Sequence, residues 1–344
     1  MLIKKVRVPL KQLLLVGFLP SFLKIWVYRY KGYRIGKNVS IGLGSVVIGK
    51  DVEIRDNTKV GFLTLVRAGQ ISIGRYVNIG SFTYIDAEFV EIGEDSKIRE
   101  QVYVGGLTLP DSMLRIGKRC LIMQMTFLNP TKPIIIGDDS AIGGNSSLFT
   151  HSSWLSQLEG YPVKFEPITI GKKVWIPWNT FITAGVNIGD NVIVGPGNVI
   201  SQSIPSNSLA NGNPLRVYPN IFKREMPLRK KTSILINITE EFCKYLEHYD
   251  YCVNKNIHLM NKIEIEIISG KNRYNFLLID VINNDVLLQD DHDIIILTNS
   301  SINCEVVKRM IISITDLQRK GSSKLGEEFV RYLSRYGIRF ERLD

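Results

Sequence analysis

Residues 170–200 read IGKKVWIPWNTFITAGVNIGDNVIVGPGNVI, and in this stretch Ile170, Ile176, Ile182, Ile188, Val194 and Ile200 recur every six residues. A helix of period 3.6 does not place apolar residues at a strict interval of six, and neither does the alternation of a strand in an ordinary sandwich. Toward the N-terminus, Ile-Gly pairs begin at Ile73, Ile92, Ile116 and Ile136. Steps of six and twelve from these reach Ile79 and Ile85, Ile98 and Val104, Ile122 and Leu128, and Ile142 and Leu148. Every position on the beat is Ile, Leu or Val. Ile170 and Ile188 stand 18 residues apart, or three steps of six. This predicts a three-sided prism of short parallel strands whose aliphatic residues point inward and stack coil upon coil. Gly, Asn and Asp in runs such as Ile188-Gly189-Asp190-Asn191 suit the corners, where the backbone turns tightly. A less regular stretch with Ile35, Ile41, Ile48, Ile54 and Val60 predicts two further coils.

The chain of 344 residues is 44% hydrophobic, which is ordinary for a protein with a packed core. Cys120, Cys243, Cys252 and Cys304 are scattered without a CxxC pair, so they read as reduced thiols, and no metal site is expected. The net charge of +10 is concentrated: residues 1–50 hold ten Lys or Arg and no Asp or Glu, and beyond them the two signs balance. The apolar run Leu13 to Leu23 is interrupted by Gly17 and Pro20 and is too short to span a bilayer, which takes about 20 apolar residues. No small-residue cleavage site follows it. The expectation is two short helices, broken at Pro20 and ended at Gly32, that cap the first coil or lie on an anionic membrane surface.

The repeat, together with Ile204-Pro205-Ser206-Asn207 and the closing Gly212-Asn213-Pro214-Leu215-Arg216-Val217, resembles the hexapeptide-repeat acyltransferases. It is most similar to bacterial cell-surface sugar O-acetyltransferases and to galactoside and maltose acetyltransferases. The resemblance implies a mainly β fold, a left-handed parallel β-helix over residues 35–217. A basic helical cap over 1–34 precedes it, and a linker over 218–231 leads to a small α/β or α+β appendage over 232–344. It also implies a homotrimer, with acetyl-CoA as acyl donor and a sugar or glycan as acceptor, and no nucleic-acid partner. The reduced thiols point to the cytoplasm, with peripheral contact at the inner face of the membrane as the alternative to a simple cap for the basic segment.

The interval from Ile136 to Ile170 is 34 residues, one coil plus 16, and the excess falls after Leu148. Solenoids place function in such excursions. The insertion opens with Thr150-His151-Ser152, and His151 is the only histidine among the repeats, since His248, His258 and His292 all follow them. An imidazole with an ordinary pKa near 6.5 can take the proton of an attacking hydroxyl and return it to a thiolate leaving group. Backbone N–H groups at a coil corner would meet the developing oxyanion. Resemblance to the family's catalytic loop assigns His151 as the base. Glu159, in the same insertion, is either its orienting carboxylate or a solvated loop charge. Asn129 corresponds to an acidic acceptor-contacting position in galactoside-type enzymes, and Trp154 and Tyr161 are further acceptor candidates. Ser152 stands where the family often has proline, which leaves the acceptor open. Trp175, Trp178, Ala184 and Gly185 resemble the stretch lining the pantetheine arm between subunits, with Trp178 either covering that arm or packing the prism. Gly195, Gly212 and Asn213 would flank the donor's ends, and Arg216 its phosphates.

After Val217 the repeats stop. Glu240–His248 and Glu327–Tyr336 have helical spacing, and Ile263–Ile268, Asn275–Ile282 and Ile294–Leu297 look like strands. A γ-class carbonic anhydrase would need three histidines within the coils. A β-helical nucleotidyltransferase would need a large N-terminal nucleotide domain, where only about 34 residues precede the repeats. The alternatives that stay open are N-acetylation of a nucleotide-linked amino sugar and a solenoid scaffold without turnover.

Overall fold

The computed structural model describes residues 13–222, 226–258, 262–269, 272–279, 294–297, 302 and 309–343. The chain divides after Lys223 into two compact units.

The first unit is the left-handed parallel β-helix. One face stacks eight strands from Arg34–Ile35 to Asn187–Ile188. A second stacks ten from Ser40–Ile41 to Arg216–Tyr218, and a third stacks eight from Val46–Ile48 to Val199–Ile200. Neighbouring coils pair in parallel with side chains in strict register, as in Ile79↔Ile98 and Ile98↔Ile122 on the second face. All eighteen positions on the beat from Ile73 to Ile200 point inward, none more than 2% exposed. The final strand, Arg216–Tyr218, turns back antiparallel on Leu209–Asn211 and closes the second face.

The corners follow the same arithmetic. Three residues past an inward aliphatic the backbone takes a left-handed conformation, at Asn57, Asn145, Asn179, Asn191 and Asn207 among others. Asn tolerates that region better than most residues. At the corner between the second and third faces, hydroxyls of Ser45, Thr64, Thr126 and Ser146 donate to main-chain carbonyls of the next coil. Buried backbone acceptors are thereby satisfied without breaking the aliphatic stack.

Two sequence expectations need correction here. In the first coil the inward residue of the third face is Val47, in register with Val66, and Ile48 lies outward and half-buried. The step from Ile41 is therefore six, and the extra residue of this 19-residue coil falls at the following corner, before Ile54. At the other end, a helix runs over Leu228–His248, beginning inside the stretch read as linker and well before Glu240. Pro227 precedes it with φ −56°, and a proline's fixed φ suits a helix start.

The second unit is a seven-stranded mixed sheet in sequential order, with the helices Leu228–His248 and Lys324–Ser334. The expected strands appear as Lys262–Ser269, Asn272–Ile279 and Ile294–Leu297; residues 280–282 lie outside the described residues. Cys252–His258, Met310–Ser313 and Gln318–Lys320 are strands that periodicity did not reveal. The helix Lys324–Ser334 begins three residues earlier than its spacing suggested, capped by the Ser323 hydroxyl, which accepts from Gly326 N. Phe242, Phe329, Leu333, Ile294 and Ile312 share its core.

Candidate active site

The third-face strand Ser147–Phe149 leads into the insertion. Thr150, fully buried, fastens its foot: its hydroxyl donates to Asn129 O at 2.7 Å and accepts from Lys132 N at 2.8 Å. His151 and Ser152 then pair antiparallel with Phe165 and Lys164, and Glu166 N donates to Thr150 O. The excursion is thus a short ribbon whose two strands clamp His151 close to the coil.

The imidazole of His151 stacks on Phe165, centroids 5.7 Å apart and planes 15° from parallel, with Phe149 at 6.3 Å and tilted by 37°. Phe149 in turn stacks on Phe181 at 5.5 Å and meets Phe127 edge-on at 4.9 Å. An aromatic column on the outside of the third face, starting at Tyr84 and Tyr103, therefore ends at the histidine. His151 Nδ1 is buried and has no hydrogen-bond partner among the described residues. Native structures rarely leave such an atom unsatisfied, because it forfeits the hydrogen bonds it made with water.

The other sequence candidates fall into two groups. Around the corner between the third and first faces lie His151, Asn129, Ala184 and Gly185. Asn129 is 5% exposed, and its Oδ1 accepts from Thr131 N and Oγ1, so its side chain is turned into the coil at the foot of the loop. Gly185 has φ +83°, and a β-carbon there would collide with the Glu166 carboxylate. Glu159 sits on a single 3₁₀ turn, Gln157–Glu159, exposed and without a hydrogen bond to His151 among the described residues. Trp154, 96% exposed, and the half-exposed Tyr161 flank it on the outer part of the ribbon.

The second group occupies the corner between the second and third faces. Trp178 lies over Gly144, where a β-carbon would meet its ring at 2.5 Å, and its carbonyl accepts from Gly197 N. Gly195 faces the Asn211 amide one coil on, and Gly212 and Asn213 are exposed just beyond. Trp175 projects from the second face, and Arg216 stands opposite Asn211 in its closing strand. Within one chain the third face separates this group from His151.

Sequence reasoning missed Thr150, Phe165 and Glu166. Glu166-Pro167 closes the insertion just as Phe149-Thr150 opens it, and that symmetry about the gap in the beat was the available signal.

Residues 33–61, 133–148 and 167–202 match the family model described as the hexapeptide repeat of succinyl-transferase. The β-helix of the first unit thus carries, in those three segments, the hexapeptide repeat that this model describes. Galactoside O-acetyltransferase of Escherichia coli (strain K12) is 36% identical over 102 residues, 27% of this chain and 46% of that protein. The chain thus spans about half the length of that relative. Among solved structures, the polySia specific acetyltransferase NeuO is 20% identical, covering 57% of this chain and 90% of that one, with a TM-score of 0.35. The hexapeptide-repeat acetyltransferase VCA0836 of Vibrio cholerae O1 biovar eltor, solved with acetyl coenzyme A, is 23% identical. That match covers 42% of this chain and 71% of the other, with a TM-score of 0.28.

Proposed function

We propose that the protein transfers an acetyl or other short acyl group from acyl-CoA to a sugar hydroxyl, with His151 as general base. One observation carries this reading: the only imidazole of the repeat unit is stacked on Phe165, with Phe149 a tilted neighbour, at the foot of the sole long excursion, and its buried Nδ1 has no partner among the described residues. A structural histidine on a loop would be solvated or satisfied. The buried Nδ1 is the nitrogen that an orienting group would fix, which leaves Nε2 to meet the acceptor hydroxyl.

Bound acyl-CoA supplies an activated thioester carbonyl. His151 takes the acceptor hydroxyl's proton as the oxygen attacks and returns it to the departing sulfur, so no covalent enzyme intermediate is needed. Main-chain N–H groups at the Ala184–Gly185 corner meet the oxyanion. Glu159 is exposed and makes no hydrogen bond to His151 among the described residues, which supports its reading as a solvated loop charge, while Trp154 and Tyr161 on the same outer ribbon cover the sugar. Asn129 acts at one remove, through its carbonyl's hold on Thr150. The galactoside specificity of the relative supports a saccharide acceptor, in a cell-surface polysaccharide or its precursor.

The split of the donor residues between two corners supports a homotrimer. The His151 corner of one subunit faces Trp178, Gly195, Gly212, Asn213 and Arg216 of the next, and the pantetheine arm lies between them. No described helix is long and apolar enough to cross a membrane, and the reading places the enzyme in the cytoplasm with peripheral contact at an anionic membrane. Incubation with acetyl-CoA and extracted surface polysaccharide or its lipid-linked precursors should yield a product heavier by one acetyl group in the mass spectrometer. Absence of both thiol release and acetylated product with every glycan acceptor supplied would refute the assignment.

A further inference from the structure

The first coil poses a problem that the N-terminal segment solves. Its three strands pair on one side only, so each exposes a row of unpaired N–H and C=O groups. Residues 17–33 supply the missing partners. Ile41 N donates to Ser21 Oγ, Val47 N to Tyr28 OH and Gly44 N to Gly17 O; Lys24 Nζ donates to Gly42 O and Ser45 O; Arg29 donates to Ile35 O and Gly36 O. The inward face of the helix Ser21–Tyr30 is therefore polar-headed, and Lys24 is 0% exposed.

Its outward face is the reverse of what a solvated helix carries. Phe22 is 70% exposed, Trp26 68% and Tyr30 85%, with Leu14 and Phe18 continuing the series in the turn before Pro20. Within the helix the spacing of four keeps Phe22, Trp26 and Tyr30 on one slowly winding stripe, and Leu14 and Phe18 are exposed in the separate turn that precedes it. Leu43, exposed beside the Gly17–Gly44 hydrogen bond, extends it onto the coil. Monomeric proteins seldom expose a contiguous apolar strip of this kind without a partner.

The surrounding charge selects the partner. Of the ten basic side chains in residues 1–50, Lys4, Lys5, Arg7 and Lys11 lie outside the described residues, Lys24 is buried and Arg34 pairs with Asp51 and Glu53, while Arg29, Lys31, Lys37 and Lys50 are exposed; the same fifty residues hold no acidic side chain. A second copy would meet the stripe with the same positive field, and like charges would oppose the contact. An anionic lipid surface matches both features: headgroup phosphates for the lysines and arginines, and an interfacial layer where tryptophan and tyrosine are at home.

We propose that Leu14, Phe18, Phe22, Trp26 and Tyr30 form a bilayer-docking surface that inserts into the headgroup boundary of an anionic membrane. The hydrogen bonds to the first coil hold the end of the prism against the lipid. The proposal deepens the peripheral-membrane part of the functional reading and does not depend on acyl transfer, so vesicle binding and thiol release are scored separately.

Flotation of the full chain with phosphatidylcholine vesicles, with and without phosphatidylglycerol, tests it. Wild type should float with the anionic vesicles and be weakened by salt. The double variant Phe22→Ser/Trp26→Ser should bind at least about tenfold more weakly, since burial of each ring contributes substantially. Its melting temperature should be unchanged, because neither side chain reaches the coil. Lys31→Glu, at the exposed end of the helix, should weaken anionic binding several-fold without changing the fold. Undiminished flotation of the double variant would overturn the proposal. So would a wild type that ignores anionic vesicles while the double variant falls to a smaller oligomer, because a second copy would then cover the stripe.

Discussion

Leu148 and His151 stand three residues apart, and different constraints act on them. Leu148 is one member of a column, in register with Leu128 below and Ile182 above, and its neighbours dictate its size and direction. His151 belongs to no column. It is held by a two-residue ribbon and two phenyl rings, and the coils would stack without it. In a solenoid the repeat sets stability, and interruptions of the repeat are free to serve chemistry. If this division is right, damage to the two sites should be separable.

The largest effect is expected at the histidine. His151→Ala should lower turnover by about 10²–10⁴-fold with acetyl-CoA affinity and melting temperature little changed, as loss of a general base predicts. Thiol release with the true acceptor measures it, and a matching fall in melting temperature would blur the division. The stability counterpart is Leu148→Ala, which should cost about 2–5 kcal/mol through lost burial and a cavity. Leu158→Ala, at a wholly exposed loop position, should change stability by no more than about 0.5 kcal/mol. Denaturant titrations compare the two.

A smaller effect sharpens the picture at the capped end. Burial pushes the Tyr28 hydroxyl up to about 12, against the opposing bond from Val47 N and with help from Tyr33. The folded value lies above the ordinary 10.0, so the protonated phenol contributes its full stability below about pH 10 and loses it as pH rises toward 12. Tyr28→Phe leaves Val47 N–H unpartnered and should cost about 1–3 kcal/mol at pH 8. The gap between variant and wild type should narrow above pH 10. A gap that is constant with pH would show that the hydroxyl's ionisation is not coupled to the cap.

What the sequence disclosed follows the same division. The eighteen inward residues from Ile73 to Ile200 declare themselves because burial in a stack allows only aliphatic side chains, and the insertion is visible as a gap in the beat. The shift from Ile48 to Val47 is invisible, since both residues are aliphatic and only the strand register decides. The helix Ser21–Tyr30 was expected, but its inversion was not, because burial of Lys24 depends on carbonyls that only the folded first coil presents. Glu166 and the two-corner arrangement of Trp178, Gly195 and Gly185 likewise depend on contacts between coils. In the second unit, Leu228–Lys231 reads as a charged linker, yet the amphipathic pattern that anchors the helix resumes further on, at Leu235, Ile238, Phe242 and Leu246.

The central claim is that one chain holds half of each active site, His151 on one corner and the donor-binding group on another. Co-expression of His151→Ala with Arg216→Glu tests it directly. Each variant alone should be nearly inactive, the first for want of a base and the second by repelling the donor's phosphates. Randomly mixed trimers should regain about a quarter of wild-type activity, because a quarter of the composite sites then combine two intact halves. Activity no higher than the sum of the separate variants would show that both halves act within a single chain, and would contradict the account.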